Sequence, residues 1–123
     1  MTQHDHKQNA GVWVDHQKAI IIAKEGSEYA VKETVDAPGG FEADNEHHKN
    51  NAKHADLISY FKALSGHLQP YGKILLFGTG IAQEQFHNYL NEDAKFKDTQ
   101  ITVENTQHLT DHQMVAKVRD FFN

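Results

Sequence analysis

Residues 73–80 read KILLFGTG. From Lys73 to Phe77 the run is apolar without alternation and is bounded by Gly72 and Gly78. Five residues are too few for a helix, and continuous apolarity predicts a strand covered on both faces. Gly78-Thr79-Gly80 then reads as a tight turn into a helix carrying Phe86, Tyr89 and Leu90. Upstream, Leu57, Ile58, Phe61, Leu64 and Leu68 recur at helical spacing from Ala52 onward. This amphipathic helix is expected to end near Gly66 and Pro70. A buried strand between two helices is the signature of a layered α/β domain.

Working outward, residues 11–26, GVWVDHQKAIIIAKEG, read as two strands joined by a turn at residues 15–18. Gly26-Ser27 makes a second turn, and residues 29–35 alternate again to complete a three-stranded meander. Pro38 ends the third strand because it has no N–H for a ladder. Downstream, residues 100–103 form a short strand. Thr110 with Gln113 makes a capping box that fixes the start of a last helix. Met114, Val115, Val118, Phe121 and Phe122 supply its apolar face. The order is β-β-β-α-β-α-β-α, that of ribonuclease-H-like folds, with a mixed five-stranded sheet and flanking helices. Residues 1–10 are polar and read as a flexible tail, and residues 11–123 as a single domain.

Composition narrows the function. The chain has 123 residues, no cysteine and a net charge of −5 with histidine neutral. Disulfides and thiolate chemistry are excluded, and a reducing cytoplasm fits. No apolar stretch is long enough to span a membrane. Arg119 is the only arginine, so a broad phosphate-binding face, and with it direct DNA binding, is not expected. No cofactor motif is present, and the oligomeric state is not legible.

Several residues are candidates for chemistry. A ribonuclease-H-type nuclease gathers several carboxylates on two metal ions. Asp15 on the first hairpin could be one, but the central strand ends without an acid. The turn at Gly78, Thr79 and Gly80 opens a helix and could offer backbone N–H groups to an anion. Turn formation alone explains both glycines and is favoured over an anion site, since no P-loop lysine follows. Among the ten histidines, His47, His48 and His54 cluster before and inside the first helix. Their spacing matches no recognised ligand set, so surface or capping roles are favoured over a metal site. Ser27, Ser59 and Ser65 lie in no nucleophile elbow.

Three features together resemble a known family. They are Val14, Asp15 and Ala19 of the first hairpin, the strand ending in Gly78 and Gly80, and the segment Met114-Val115-Ala116-Lys117-Val118-Arg119. With them, residues 11–122 resemble small bacterial translational machinery proteins. Those are related to the middle domain of archaeo-eukaryotic class I peptide-chain release factors and of Pelota. In the release factors, a Gly-Gly-Gln loop between the third strand and the long helix enters the peptidyl-transferase centre and assists ester hydrolysis. The matching place here holds Gly39, Gly40 and Phe41. Phe41 has no amide with which to position a water. The flanking residues Asp36, Glu42, Asp44 and Glu46 are acidic, which opposes contact with RNA. The resemblance therefore implies a non-enzymatic module that docks on the ribosome or a translation factor. Two alternatives stand beside it. One is a hydrolase of peptidyl-tRNA esters or, through Asp15 and a metal, of phosphodiesters. The other is a protein adaptor whose acidic loop meets a basic partner.

Overall fold

The structure, a computed structural model, describes residues 8–38 and 49–123, with residues 49–55 described by their backbone. Five strands form one mixed sheet: β1 (Gln8–Val14), β2 (Lys18–Glu25), β3 (Glu28–Asp36), β4 (Tyr71–Gly78) and β5 (Gln100–Asn105). Three helices flank it: α1 (Lys49–Leu68), α2 (Ala82–Asn91) and α3 (Asp111–Phe122). A single 3-10 turn, Ala94–Phe96, precedes β5. The strand order is β3-β2-β1-β4-β5. The meander is antiparallel, whereas β4 runs parallel to both β1 and β5. The expected element order and mixed α/β class are both present.

Apolar side chains point to both faces because both are covered. On one face Val12, Val14, Ile21, Ile74 and Leu76 pack against α1 and α2 through Phe61, Leu64 and Phe86. On the other, Trp13, Ile20, Ile22, Leu75 and Phe77 pack against Met114 and Val118 of α3. Fully burying such side chains contributes roughly 1.5–3 kcal/mol each. Gly11 brings α3 close: a Cβ there would overlap Cγ2 of Val118.

Several boundaries and two helix faces differ from the sequence reading. β1 begins at Gln8, inside the expected tail, because Asn9 and Ala10 pair with Lys73 and Ile74 of β4. α1 begins at Lys49 rather than Ala52, and ends at Leu68, between Gly66 and Pro70 as expected. β5 extends to Asn105 by pairing with Gly78. On α1, Ile58 is 40% exposed and Tyr60 is buried in its stead. On α3, Phe121 is exposed because the buried seam follows Met114 and Val118, four residues apart. The capping box is present: Gln113 N–H donates to Thr110 Oγ1 at 3.2 Å, and Thr110 N–H to Gln113 Oε1 at 2.8 Å. Among the described residues no helix is long and apolar enough to cross a membrane.

Candidate functional site

The parallel strands β1, β4 and β5 all end at one edge of the sheet, at Val14, Gly78 and Asn105. The antiparallel pairing brings the start of β2 and the end of β3 to that same edge, with Lys18 opposite Asp36. In open α/β sheets the crevice outside the carboxyl ends of the strands is where ligands are met. Asp15, the glycine turn and the exit of β3 are thus neighbours by topology.

Asp15 shapes its own turn. Its Oδ1 accepts from the N–H groups of Gln17 and Lys18 at 2.7 and 2.8 Å, and its Oδ2 from Trp13 Nε1 at 2.9 Å. The Asp15 N–H closes the turn on the Lys18 carbonyl at 3.0 Å. An aspartate favours such a turn because its short carboxylate reaches backbone N–H groups two and three residues on. Among the described residues no group of three or more histidine or carboxylate side chains is close enough to hold a metal ion. The chemistry on view at Asp15 is therefore that of a turn-former.

Three further bonds tie this turn to its surroundings. Tyr60 Oη–H of α1 donates to the Asp15 carbonyl at 2.9 Å. His16 Nε2 lies 2.7 Å from Gln85 Oε1 on α2. Ala37 N–H, just beyond β3, donates to the Gln17 carbonyl at 2.9 Å. Burial pushes the Tyr60 phenol well above its ordinary pKa, and the negative charges of Asp15 and Asp36 push it further. It therefore stays a donor.

At the glycine turn the two glycines differ. A Cβ on Gly78 would stand 2.5 Å from the Val14 carbonyl oxygen and 2.8 Å from Gln83 Oε1. Only hydrogen fits between these neighbours. Gly80 faces open space, and Gly26 is the only described residue with positive φ, at 69°. So the turn needs Gly78 for close approach, and no left-handed backbone explains Gly80. The Gly78 carbonyl accepts from Thr106 N–H at 2.8 Å and from the buried Gln83 Nε2 at 3.2 Å. The Gly80 carbonyl accepts from Asn105 Nδ2 at 3.0 Å. Thr79 is exposed, and Ile81, which caps α2 without a side-chain bond, is 56% exposed. The first turn of α2 carries Glu84, an unfavourable neighbour for an anion.

Gly39, Gly40 and Phe41, with His47 and His48, lie outside the described residues, as does the side chain of His54. Their flanks are placed: the segment leaves β3 at Asp36 and enters α1 at Lys49. Ser65, a candidate nucleophile by residue type only, donates its hydroxyl to the Lys62 carbonyl at 3.0 Å. Sequence reasoning missed Tyr60 and Gln83. A tyrosine beside an apolar stripe and a glutamine in a first helical turn carry no sequence mark of burial.

No protein-family model and no curated protein sequence matches the chain. Solved structures do. Pelota from Archaeoglobus fulgidus superposes with a TM-score of 0.65 at 9% identity, over 92% of this chain and 31% of that one. Pelota from Thermoplasma acidophilum gives 0.61 at 18% identity, over 94% and 33%. The archaeal translation termination factor aRF1 gives 0.56 at 13% identity, over 96% and 39%. This chain spans about a third of the length of those proteins, and with that third it shares its fold.

Proposed function

We propose that the protein is a translation-associated module that docks on the ribosome or on a ribosome-bound factor and does not hydrolyse peptidyl-tRNA. The observation that carries this reading is the place of the 39–48 segment. In chain order it joins β3 to α1, in a fold shared with parts of Pelota and of a termination factor. The release-factor-like loop expected there carries Gly39-Gly40-Phe41, and a phenyl ring cannot orient a hydrolytic water. The resemblance to the bacterial translational machinery proteins belongs to the same reading, as does a place in the cytoplasm.

Docking is ascribed to the carboxyl edge of the sheet, where the β1–β2 turn is bonded to α1, to α2 and to the exit of β3.

Co-sedimentation with purified 70S ribosomes, empty or carrying peptidyl-tRNA, tests the proposal. Binding at low salt is expected to persist at moderate salt, where the repulsion between the acidic residues and RNA phosphates is screened. The ester of the bound peptidyl-tRNA is expected to survive. No co-sedimentation at either salt, with either ribosome, overturns the docking reading. Rapid loss of the ester overturns the non-enzymatic one.

A further inference from the structure

β3 is an edge strand: among the described residues no strand lies beyond it. Which of its backbone groups point outward follows from the bonds on its inner side. Ala37 N–H donates to the Gln17 carbonyl, and Lys18 stands opposite Asp36. Bonded and non-bonded pairs alternate along an antiparallel ladder. Gln17, Ala19, Ile21, Ala23 and Glu25 therefore direct their backbone groups at β3. Lys18 directs its own at β1, as its bond from Asp15 N–H shows. One extra residue of β3, Lys32, shifts the register between Ile21 and Ile22. Past this bulge Ala23 stands opposite Ala30 and Glu25 opposite Glu28. Glu28 and Ala30 are thus bonded to β2, while Tyr29 and Val31 turn their N–H and C=O groups outward.

The side chains at this edge are unevenly covered. Tyr29 and Val31 stand opposite Lys24 and Ile22, and Ile22 packs against α3, so both rise on the α3 face. An open groove of about 390 Å³ runs there, lined by Val31, Val115 and Ala116. Val31 is 41% exposed, an apolar side chain that the fold leaves uncovered. To either side stand Glu28 and Lys32, exposed and opposite in charge. Lys32 reaches Glu25 of its own chain at 3.5 Å on the surface. Glu28 has no ion pair among the described residues.

We propose that this edge pairs antiparallel with the same edge of a second copy, about a two-fold axis that sets Ala30 opposite Ala30. A two-fold interface is self-complementary: where residue i meets j, j also meets i. Directly opposed residues of a sheet share a face, so an axis normal to the sheet must set one residue opposite itself. With Ala30 on the axis, Tyr29 meets Val31 of the second copy and Val31 meets its Tyr29. Both have outward backbone groups, so four interchain hydrogen bonds close. The tyrosine rings cover the exposed valines, and Glu28 comes beside Lys32 of the second copy on both sides of the axis. With Tyr29 on the axis, Val31 would meet Ser27 in the turn. With Val31 on the axis, Tyr29 would meet Glu33, whose backbone groups point to β2. Among these three registers, only the one centred on Ala30 uses both outward residues and both charges. The bulge keeps the paired edge short, so the dimer is reversible rather than obligate. The edge lies at the Glu28 end of β3, away from its exit at Asp36, and does not rest on the ribosome reading.

Sedimentation velocity of the full chain, from low micromolar to submillimolar concentration, tests this. A monomer–dimer equilibrium is expected, and Val31→Asp should weaken it by about tenfold or more. Glu28→Lys and Lys32→Glu, each alone, set like charges against one another across the axis and should weaken it similarly. Mixed in equal amounts, those two variants should form a heterodimer about as tight as the wild-type dimer, because every opposed pair is then of opposite sign. Ala30→Cys, in a chain without cysteine, should oxidise to a covalent dimer. A non-hydrogen-bonded pair brings its Cα atoms to about 4.5 Å, within disulfide range. A circular-dichroism melt verifies that each variant folds. A wild-type monomer at every concentration overturns the proposal and leaves the edge to another occupant. A dimer indifferent to Val31→Asp overturns it by giving the interface to another face. No heterodimer in the mixture, or no cross-link through residue 30, overturns the register.

Discussion

The hydroxyl of Tyr60 donates a 2.9 Å hydrogen bond to the carbonyl oxygen of Asp15, forty-five residues away in the chain. One bond thus joins the long helix that follows the 39–48 segment to the turn that receives the end of β3. Tyr60→Phe keeps the ring packed against Phe61 and removes only the donor. The Asp15 carbonyl loses a partner in a part-buried place, so a loss of about 1–3 kcal/mol is expected in urea unfolding. An unchanged midpoint would show that water replaces the hydroxyl without cost.

The same phenol predicts a pH dependence. Its pKa is raised in the folded state by burial, then by Asp15 and Asp36. Below pH 10, the ordinary phenol value, both folded and unfolded states keep the proton and Tyr60 adds no pH dependence. Above it the unfolded chain ionises and the native one does not, so the native state is progressively disfavoured. Each further pH unit should remove about 1.4 kcal/mol through this group. Denaturant unfolding from pH 9 to 11 should show a steeper fall in wild type than in Tyr60→Phe. Parallel curves would mean the phenol ionises in place.

Asp15→Asn separates a turn-former from a catalytic carboxylate. The asparagine oxygen can still accept from Gln17 and Lys18 N–H, but its amide nitrogen cannot accept from Trp13 Nε1. Losing that charge-assisted bond should cost about 1.5–3 kcal/mol. Because Trp13 is the sole tryptophan, its emission should shift in the folded variant. Loss of a metal-dependent phosphodiesterase activity with stability intact would instead assign Asp15 to chemistry.

Much of the fold was legible because local physics agreed with it. KILLFGTG is a covered strand ending in a turn, and the Thr110–Gln113 pair states where α3 begins. What escaped were features set by distant partners. Gln8 to Ala10 look like a polar tail until β4 offers them a parallel ladder. Tyr60 looks like a surface residue beside Ile58 until the Asp15 carbonyl claims its hydroxyl. At the candidate site, Asp15 was found by residue type, but its role as a turn-former needed its three donors on view. The Gly-x-Gly pattern likewise concealed that its two glycines answer to different constraints.

Glycine substitutions test that difference directly. Gly80→Ala meets no atom within 4 Å and no left-handed backbone, so stability should stay within about 0.5 kcal/mol of wild type. Gly11→Ala drives a methyl into Val118 and should cost about 1–3 kcal/mol as α3 is pushed away. Val118→Ala alone removes buried methyls and also destabilises. Together the two should cost less than their sum, because the second substitution makes room for the first. Additive losses in a double-mutant cycle would place the strain elsewhere.

Phe41→Gln tests the loop itself, since it gives the segment the Gly-Gly-Gln sequence. If docking already places the loop as the release-factor likeness implies, the variant should release peptide from ribosome-bound peptidyl-tRNA above the wild-type background. A correctly placed amide orienting water is worth a measurable step, on the order of tenfold for each 1.4 kcal/mol gained. The acidic flank works against that placement, because Glu42, Asp44 and Glu46 are repelled by RNA phosphates. Neutralising those three together with Phe41→Gln should therefore raise release further and reduce the salt needed to mask the repulsion. Release by neither variant, with ribosome binding intact by sedimentation, would show that the module docks with this loop outside the peptidyl-transferase centre.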